Sequence, residues 1–171
     1  HCKDTITKSL LFNKMNTYRK EHDIHINKIS IIIVSYNNCY ITQQCIYSIR
    51  KYCYSGSYEI IVVDNASTDG VTEWLEQQQD IKLIKSSCNL GFPKGCNVGI
   101  ANSDKNNDIF LLNNDTKLHE DCIEELLIMM RQHPHCFSCS ARMIKMHEPD
   151  KLDDAGDYYC ALGWAYALGK D

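Results

Sequence analysis

Ile29-Ser30-Ile31-Ile32-Ile33-Val34 decides how this chain is read. Five of its six residues are Ile or Val, with no polar alternation, which predicts a strand covered on both faces. Strands of that kind belong to parallel sheets, whose crossovers carry helices. Ile41, Cys45, Ile49 and Tyr52 follow at helical spacing. Tyr58 to Val63 predicts a second buried strand, and a helix with Val71, Trp74 and Leu75 inward comes next. Ser67, Thr68 and Asp69 are its cap candidates. Ile81 to Ile84 predicts a third strand, and Pro93 suits the first turn of a helix whose buried side would hold Cys96 and Ile100. Asp108 to Leu112 predicts a fourth strand. Ile123, Leu126, Leu127 and Met130 mark a last helix, with Glu120 and Asp121 in its first turn and Pro134 beyond its end. Four strand–helix units predict an α/β fold, a mostly parallel sheet with helices on both faces. Every strand then ends on one edge, where open sheets bind ligands.

Composition narrows the classes further. At 171 residues the chain suits one domain with a real core. Its 18 basic and 22 acidic side chains give a net charge of −4, which offers no field for attracting nucleic acid. The longest apolar runs, Ile31 to Val34 and Leu126 to Met130, fall far short of the ~20 residues of a membrane span. Residues 1–28 lack an apolar signal core, so the chain is expected to be soluble and cytoplasmic. They hold six basic against three acidic side chains and a weak helical stripe of Leu10, Leu11, Met15 and Tyr18. They read as a polar extension packing on a domain that spans 29–171.

The ten cysteines accompany core-forming segments and read as free thiols. Cys136 and Cys139, beside His133 and His135, raise a zinc site. Phe137 to Met143 reads as a strand, however, and would point residues three apart to opposite faces, and no second C-x-x-C completes four ligands. Buried strand cysteine is the preferred reading.

Each strand runs into a polar loop: Ser35-Tyr36-Asn37-Asn38; Asp64-Asn65-Ala66-Ser67-Thr68-Asp69-Gly70; Asn89 to Asn97; and Asn113-Asn114-Asp115-Thr116. Loops and caps alone favour such residues, but four of them on one edge point to a site. There is no G-x-x-x-x-G-K-[ST], and no G-x-G-x-x-G follows the first strand, which argues against a P-loop and a dinucleotide site. Asp115 flanked by Asn113 and Asn114 suits Mg²⁺ or Mn²⁺, which bind through one or two carboxylates plus substrate phosphates. Asp64 is an acceptor for a base N–H, in a loop expected to be exposed, so that its loss should spare folding. Tyr36 offers a stacking face. Gly91, Gly95 and Gly99 are expected to let a loop and helix start approach a ligand closely.

Four segments taken together resemble the successive motifs of family 2 glycosyltransferases: Ile31 to Asn37, Ile61 to Ser67, Asn89 to Asn97 and Leu111 to Thr116. The likeness runs over about residues 29–169, through Asp154-Ala155-Gly156-Asp157 to Gly163. It implies a GT-A (Rossmann-like) fold, a UDP-, dTDP- or GDP-sugar donor, a divalent cation and inversion at the anomeric carbon. It also implies a glycan or lipid-linked acceptor, with peripheral association at the inner face of the membrane. By this resemblance Val34, Ser35 and Tyr36 would hold base and ribose, with Asn37 and Asn65 in the same donor loops. Asp64 would take the base imide N–H. Asn89, Gly91 and Asn97 would shape the donor pocket, and Lys94 would contact phosphate. Asn113-Asn114-Asp115 matches the D-x-D-type motif. Asp115 takes the metal place, and Asn114 stands where many members carry a second carboxylate at the ribose.

The family's catalytic base lies in an acceptor-binding half, which is expected beyond the end of this chain. Asp153, Asp154 and Asp157 read as part of a structural connection, and no base is named among them. Two alternatives stand beside the transferase. One is a non-catalytic nucleotide-sugar-binding fragment or pseudoenzyme. The other is a nucleotidyltransferase, which usually needs a glycine-rich loop after the first strand, and Ser35 to Asn38 has no glycine.

Overall fold

A computed structural model describes residues 28–53, 58–148, 150–154, 157–159 and 165–167. The extension predicted over 1–28 lies outside them except for Lys28. The chain falls into two compact units, His1–Asp121 and Cys122–Asp171.

The first unit is built on a four-stranded sheet. Its elements are β1 (Ile29–Ser35), α1 (Cys39–Tyr52), β2 (Tyr58–Asp64), α2 (Val71–Glu76), β3 (Ile81–Lys85), α3 (Phe92–Ala101) and β4 (Asp108–Asn113). The strand order is β3-β2-β1-β4, and every pairing is parallel. Register brings the strand ends level: Ser35 lies opposite Asp64, Asp64 opposite Lys85, and Val34 opposite Asn113. The two central strands carry the core. Ile31, Ile32, Ile33, Ile60, Ile61, Val62 and Val63 are buried almost completely, and each such side chain contributes roughly 1.5–3 kcal/mol by leaving water.

Strand parity shows which helix covers which face. Ser35 and Asp64, side by side, bond to Thr42 of α1 and Thr72 of α2. Ile32, Val34 and Val63 point the other way, against Gly95 and Gly99 of α3. Helices therefore flank both faces, as the unbroken apolar strands predict.

Three details depart from the sequence reading. The cap position of α2 is Gly70 in the left-handed region rather than Ser67, Thr68 or Asp69, although Asp69 Oδ1 accepts the N–H of Val71, the first helical residue, at 3.3 Å. Ile100, expected inside α3, is 38% exposed, and Trp74 is only half-buried. Ile109 and Leu111 of β4 are exposed: they share the face of Ile32, and α3 lies over β1 and β2 there.

The second unit contains α4 (Cys122–Gln132) and two antiparallel pairs, β5 (Met143–Ile144) with β6 (Leu152–Asp154) and β7 (Asp157–Tyr159) with β8 (Ala165–Ala167). Ile123 is buried on α4, while Leu126, Leu127 and Met130 are half-buried. The first turn of the helix holds Glu124 and Glu125 rather than Glu120 and Asp121. The strand predicted from Phe137 to Met143 is absent: 136–142 carry no regular structure and only Met143 pairs. Cys139 is accordingly exposed instead of buried in a strand. All eight described cysteines are free thiols. No helix among the described residues is long and apolar enough to cross a membrane.

Candidate functional site

Strand order locates the site before any side chain is considered. From β1 the chain steps outward through β2 to β3, then α3 returns it across the sheet to β4 on the other side of β1. That reversal leaves a crevice between the carboxyl ends of β1 and β4, where open α/β sheets take their ligands. The Ser35–Asn38 and Asn113–Thr116 loops border it.

The β1 and β2 loops are tied to each other. Asn37 and Asn38 both take left-handed backbone, with φ of 58° and 60°, a region Asn tolerates better than most residues. The Asn37 N–H donates to Ser67 Oγ at 2.8 Å, and Asn37 Oδ1 accepts the Thr68 N–H at 2.9 Å. Ala66 is left-handed too, at φ 63°. This double turn lifts Tyr36 to 49% exposure directly after a fully buried Ser35.

Asp64 is not the exposed acceptor that the sequence suggested. It is 2% exposed; Oδ1 accepts the Ser67 N–H at 3.2 Å and Oδ2 accepts the Thr72 hydroxyl at 2.5 Å. The carboxylate folds the loop back onto α2, because an unpaired charge at that depth would be costly. It retains free lone pairs, since a carboxylate offers about four. Asn65, also 2% exposed, donates its amide to the Gly91 carbonyl at 3.4 Å and its backbone N–H to the Ser35 carbonyl at 2.8 Å. Its Oδ1 is buried without a hydrogen-bond partner among the described residues.

α3 begins at Gly91, whose φ of 74° only glycine adopts freely. Asn89 Oδ1 accepts the Gly91 N–H at 2.8 Å and shapes this turn. Gly95 and Gly99 serve a purpose other than ligand approach. A Cβ on Gly95 would lie 2.8 Å from Val34 Cγ1, and one on Gly99 would lie 2.3 Å from Ile32 Cγ2. Their lack of a side chain seats the helix on the sheet, which corrects the sequence reading. Asn89, Gly91, Lys94 and Asn97 remain exposed at the edge.

On the β4 side, Asn113 and Asp115 are exposed and Asn114 is half-buried. The Thr116 N–H and hydroxyl both donate to the Asn113 carbonyl, at 3.2 and 2.7 Å. Burial pushes the Cys45 thiol up to about 12, and the negative charge of nearby Asp115 adds to the effect. Among the described residues there is no cluster of three or more His, Cys, Asp or Glu able to hold a metal ion. Asp115 is a single exposed carboxylate, so any cation held there would have to take most of its ligands from phosphate and water.

The sequence-selected residues thus separate by depth. Tyr36, Asn89, Gly91, Lys94, Asn97, Asn113 and Asp115 are exposed, and Asn37 and Asn114 are half-buried. Val34, Ser35, Asp64 and Asn65 are buried. The Val34 side chain packs under Gly95 and the Ser35 hydroxyl faces Thr42, so both build the floor instead of presenting side chains to a ligand. Sequence reasoning missed Thr42 and Thr72, whose hydroxyls point into the loops from helix positions that periodicity alone reads as packing.

The model of glycosyl transferase family 2 matches residues 30–159. The chain belongs to this family. A family relative, the hexosyltransferase Agl10 of low-salt glycan biosynthesis in Haloferax volcanii, is 34% identical over 104 residues, covering 59% of this chain and 32% of that protein. The chain thus spans about a third of the curated relative it matches. Residues 1–349 of S. aureus TarS in complex with UDP-GlcNAc share the fold, with TM-score 0.54 and 21% identity over 63% of this chain and 32% of that one. So does the mannosyltransferase PcManGT from Pyrobaculum calidifontis in complex with GDP-Man and Mn²⁺, with TM-score 0.55 and 16% identity over 74% of this chain and 43% of that one. The architecture of this family 2 chain is therefore GT-A.

Proposed function

We propose that this chain is the donor-binding part of an inverting, cation-dependent glycosyltransferase. It takes a nucleoside-diphosphate sugar and serves transfer to a saccharide or lipid-linked acceptor. The observation that carries this reading is the shared edge: Tyr36, the Asn89–Gly91 turn and Asp115 stand on loops leaving the level carboxyl ends of one parallel sheet. An exposed aromatic face suits base stacking, and Asp64 and Asn65 lie buried where the neighbouring strand β2 ends. Asp64 keeps lone pairs for an imide N–H, and the orphan Asn65 Oδ1 is a second acceptor that a ligand donor or a water would satisfy. Lys94 would meet a phosphate. Asp115 would hold Mg²⁺ or Mn²⁺, which when bound neutralises charge developing on the departing diphosphate.

The complexes of neighbours with UDP, UDP-GlcNAc and GDP-Man support the class of donor, and the Mn²⁺ beside GDP-Man supports the cation. Calorimetry of the chain with UDP, dTDP and GDP, each with and without Mn²⁺, tests the reading. Binding of one nucleotide should strengthen with cation, and Asp115→Ala should remove that increment. Equal affinity with and without Mn²⁺ for every nucleotide would refute it.

A further inference from the structure

The loop that carries Asp115 is held by more than its own strand. The Asn114 Nδ2 amide donates to Thr42 Oγ1 at 3.1 Å, and Thr42 Oγ1 lies 3.1 Å from Ser35 Oγ. One helical turn further along α1, the Cys45 thiol donates to the Asn113 carbonyl at 3.6 Å. Thr42 and Ser35 are fully buried, so water does not compete for this link.

Thr42 sits among Cys45, Ile46 and Ile49 on the inward face of α1, where an aliphatic side chain would pack as well. A hydroxyl there is tolerated only when it is bonded. It has one proton and two acceptor sites, and it uses them to join the end of β1 to the loop after β4, the two sides of the crevice.

We propose that Thr42 is a positioning residue. Acting through Asn114, it sets the height and direction of the Asp115 carboxylate, and the Asn114 amide serves this link instead of a ribose. The inference rests on the reading of Asp115 as the cation-holding residue. It adds a residue, on a helix, that the loop motifs do not contain.

The experiment is calorimetry of the chain with UDP and GDP, with and without Mn²⁺, on folded wild type, Thr42→Val, Thr42→Ser, Asn114→Ala and the Thr42→Val/Asn114→Ala double variant. Thr42→Val and Asn114→Ala should each cut the Mn²⁺ enhancement about tenfold or more, the scale on which residues behind a metal ligand act. The cation-free affinity of Thr42→Val should stay unchanged. The double variant should lose no more than either single one, because both break the same link. Thr42→Ser, which keeps the hydroxyl, should retain the enhancement. Should Thr42→Val fail to fold, Asn114→Ala decides, since its side chain is only half-buried. A folded Thr42→Val that keeps the enhancement overturns the proposal, as does an Asn114→Ala variant whose cation-free and cation-dependent affinities fall together. A wild type without any Mn²⁺ enhancement removes the proposed function and this inference with it. Loss on Asp115→Ala but not on Thr42→Val removes the inference alone.

Discussion

Asp69 and Cys39 stand 30 residues apart in the chain, yet Asp69 Oδ2 accepts the Cys39 backbone N–H at 2.8 Å. Cys39 opens α1, and Asn38 before it makes no side-chain cap bond. Asp69 thus caps the helix from the neighbouring loop, with the charge that a helix N-terminus favours. Its other oxygen accepts the Val71 N–H at 3.3 Å, at the start of α2. Asp69→Ala should therefore lower stability by about 1 kcal/mol, read from the urea midpoint. An unchanged midpoint would mean that water replaces the carboxylate at both helix starts.

Asp64→Ala should destabilise the chain, contrary to what an exposed loop residue would do. The change takes the acceptor from the half-buried Ser67 N–H and Thr72 hydroxyl, and losing hydrogen bonds to a charged group costs roughly 1.5–3 kcal/mol, less where water can replace it. Paired melting curves of wild type and variant check this. A melting temperature that does not move would return Asp64 to a purely ligand-facing role.

Gly99→Ala should cost about 1–3 kcal/mol, because its methyl would overlap Ile32 Cγ2 and force the helix off the sheet. Combined with Ile32→Ala, the loss should be smaller than the sum of the two single losses, since the two changes share one contact. Additive losses would show that the helix moves freely at this point.

Ala66→Gly should stabilise the chain by about 0.5–1 kcal/mol. Ala66 holds φ 63°, where a Cβ is strained by roughly 1–2 kcal/mol, and glycine's extra unfolded-state freedom offsets only part of that gain. Denaturant titration gives the sign directly, and a fall in stability would overturn the argument.

Acid should weaken the fold through Glu59. Burial alone would raise this carboxyl, but bonds from the Asp104 N–H, the Ser30 hydroxyl and the Asn107 amide, together with the Lys82 charge, outweigh burial and hold it below its ordinary 4.5. A carboxyl lowered in the folded state adds stability that is present above its unfolded value and lost as pH falls through the folded one. Stability should therefore decline below about pH 4.5, and Glu59→Gln should flatten that decline. A variant with an identical acid limb would assign the effect to other carboxylates, such as Asp80, which the Arg50 hydrogen bond lowers.

Much of the frame was readable in the sequence because the central strands are apolar on both faces. Ile31 to Val34 and Ile60 to Val63 have no polar side to misassign, and their polar loops had to emerge on one edge. Depth was not readable. Asp64 reads as exposed until Thr72, eight residues on, turns out to face it from α2. Gly95 and Gly99 look like ligand-approach positions until the strand order sets Ile32 and Val34 beneath them. Thr42 reads as one more residue on a helix face, since its partner Asn114 is 72 residues away. Phe137, Cys139, Ala141 and Met143 alternate like a strand, but alternation supplies no hydrogen-bonding neighbour, and among the described residues only Met143 has one.

The close seat of α3 limits how this scaffold can diversify. With no room for even a methyl between Gly99 and Ile32, the Asn89–Gly91 turn cannot sink to admit a bulkier guest or rise to grip a smaller one. Under the proposed donor-binding role, adjustment to donor size would fall to the opposite bank, where Asn114 reaches Thr42 through a side chain and not through the sheet. Selectivity among chains built on this plan should therefore drift along the β4 bank while the glycine bank stays fixed.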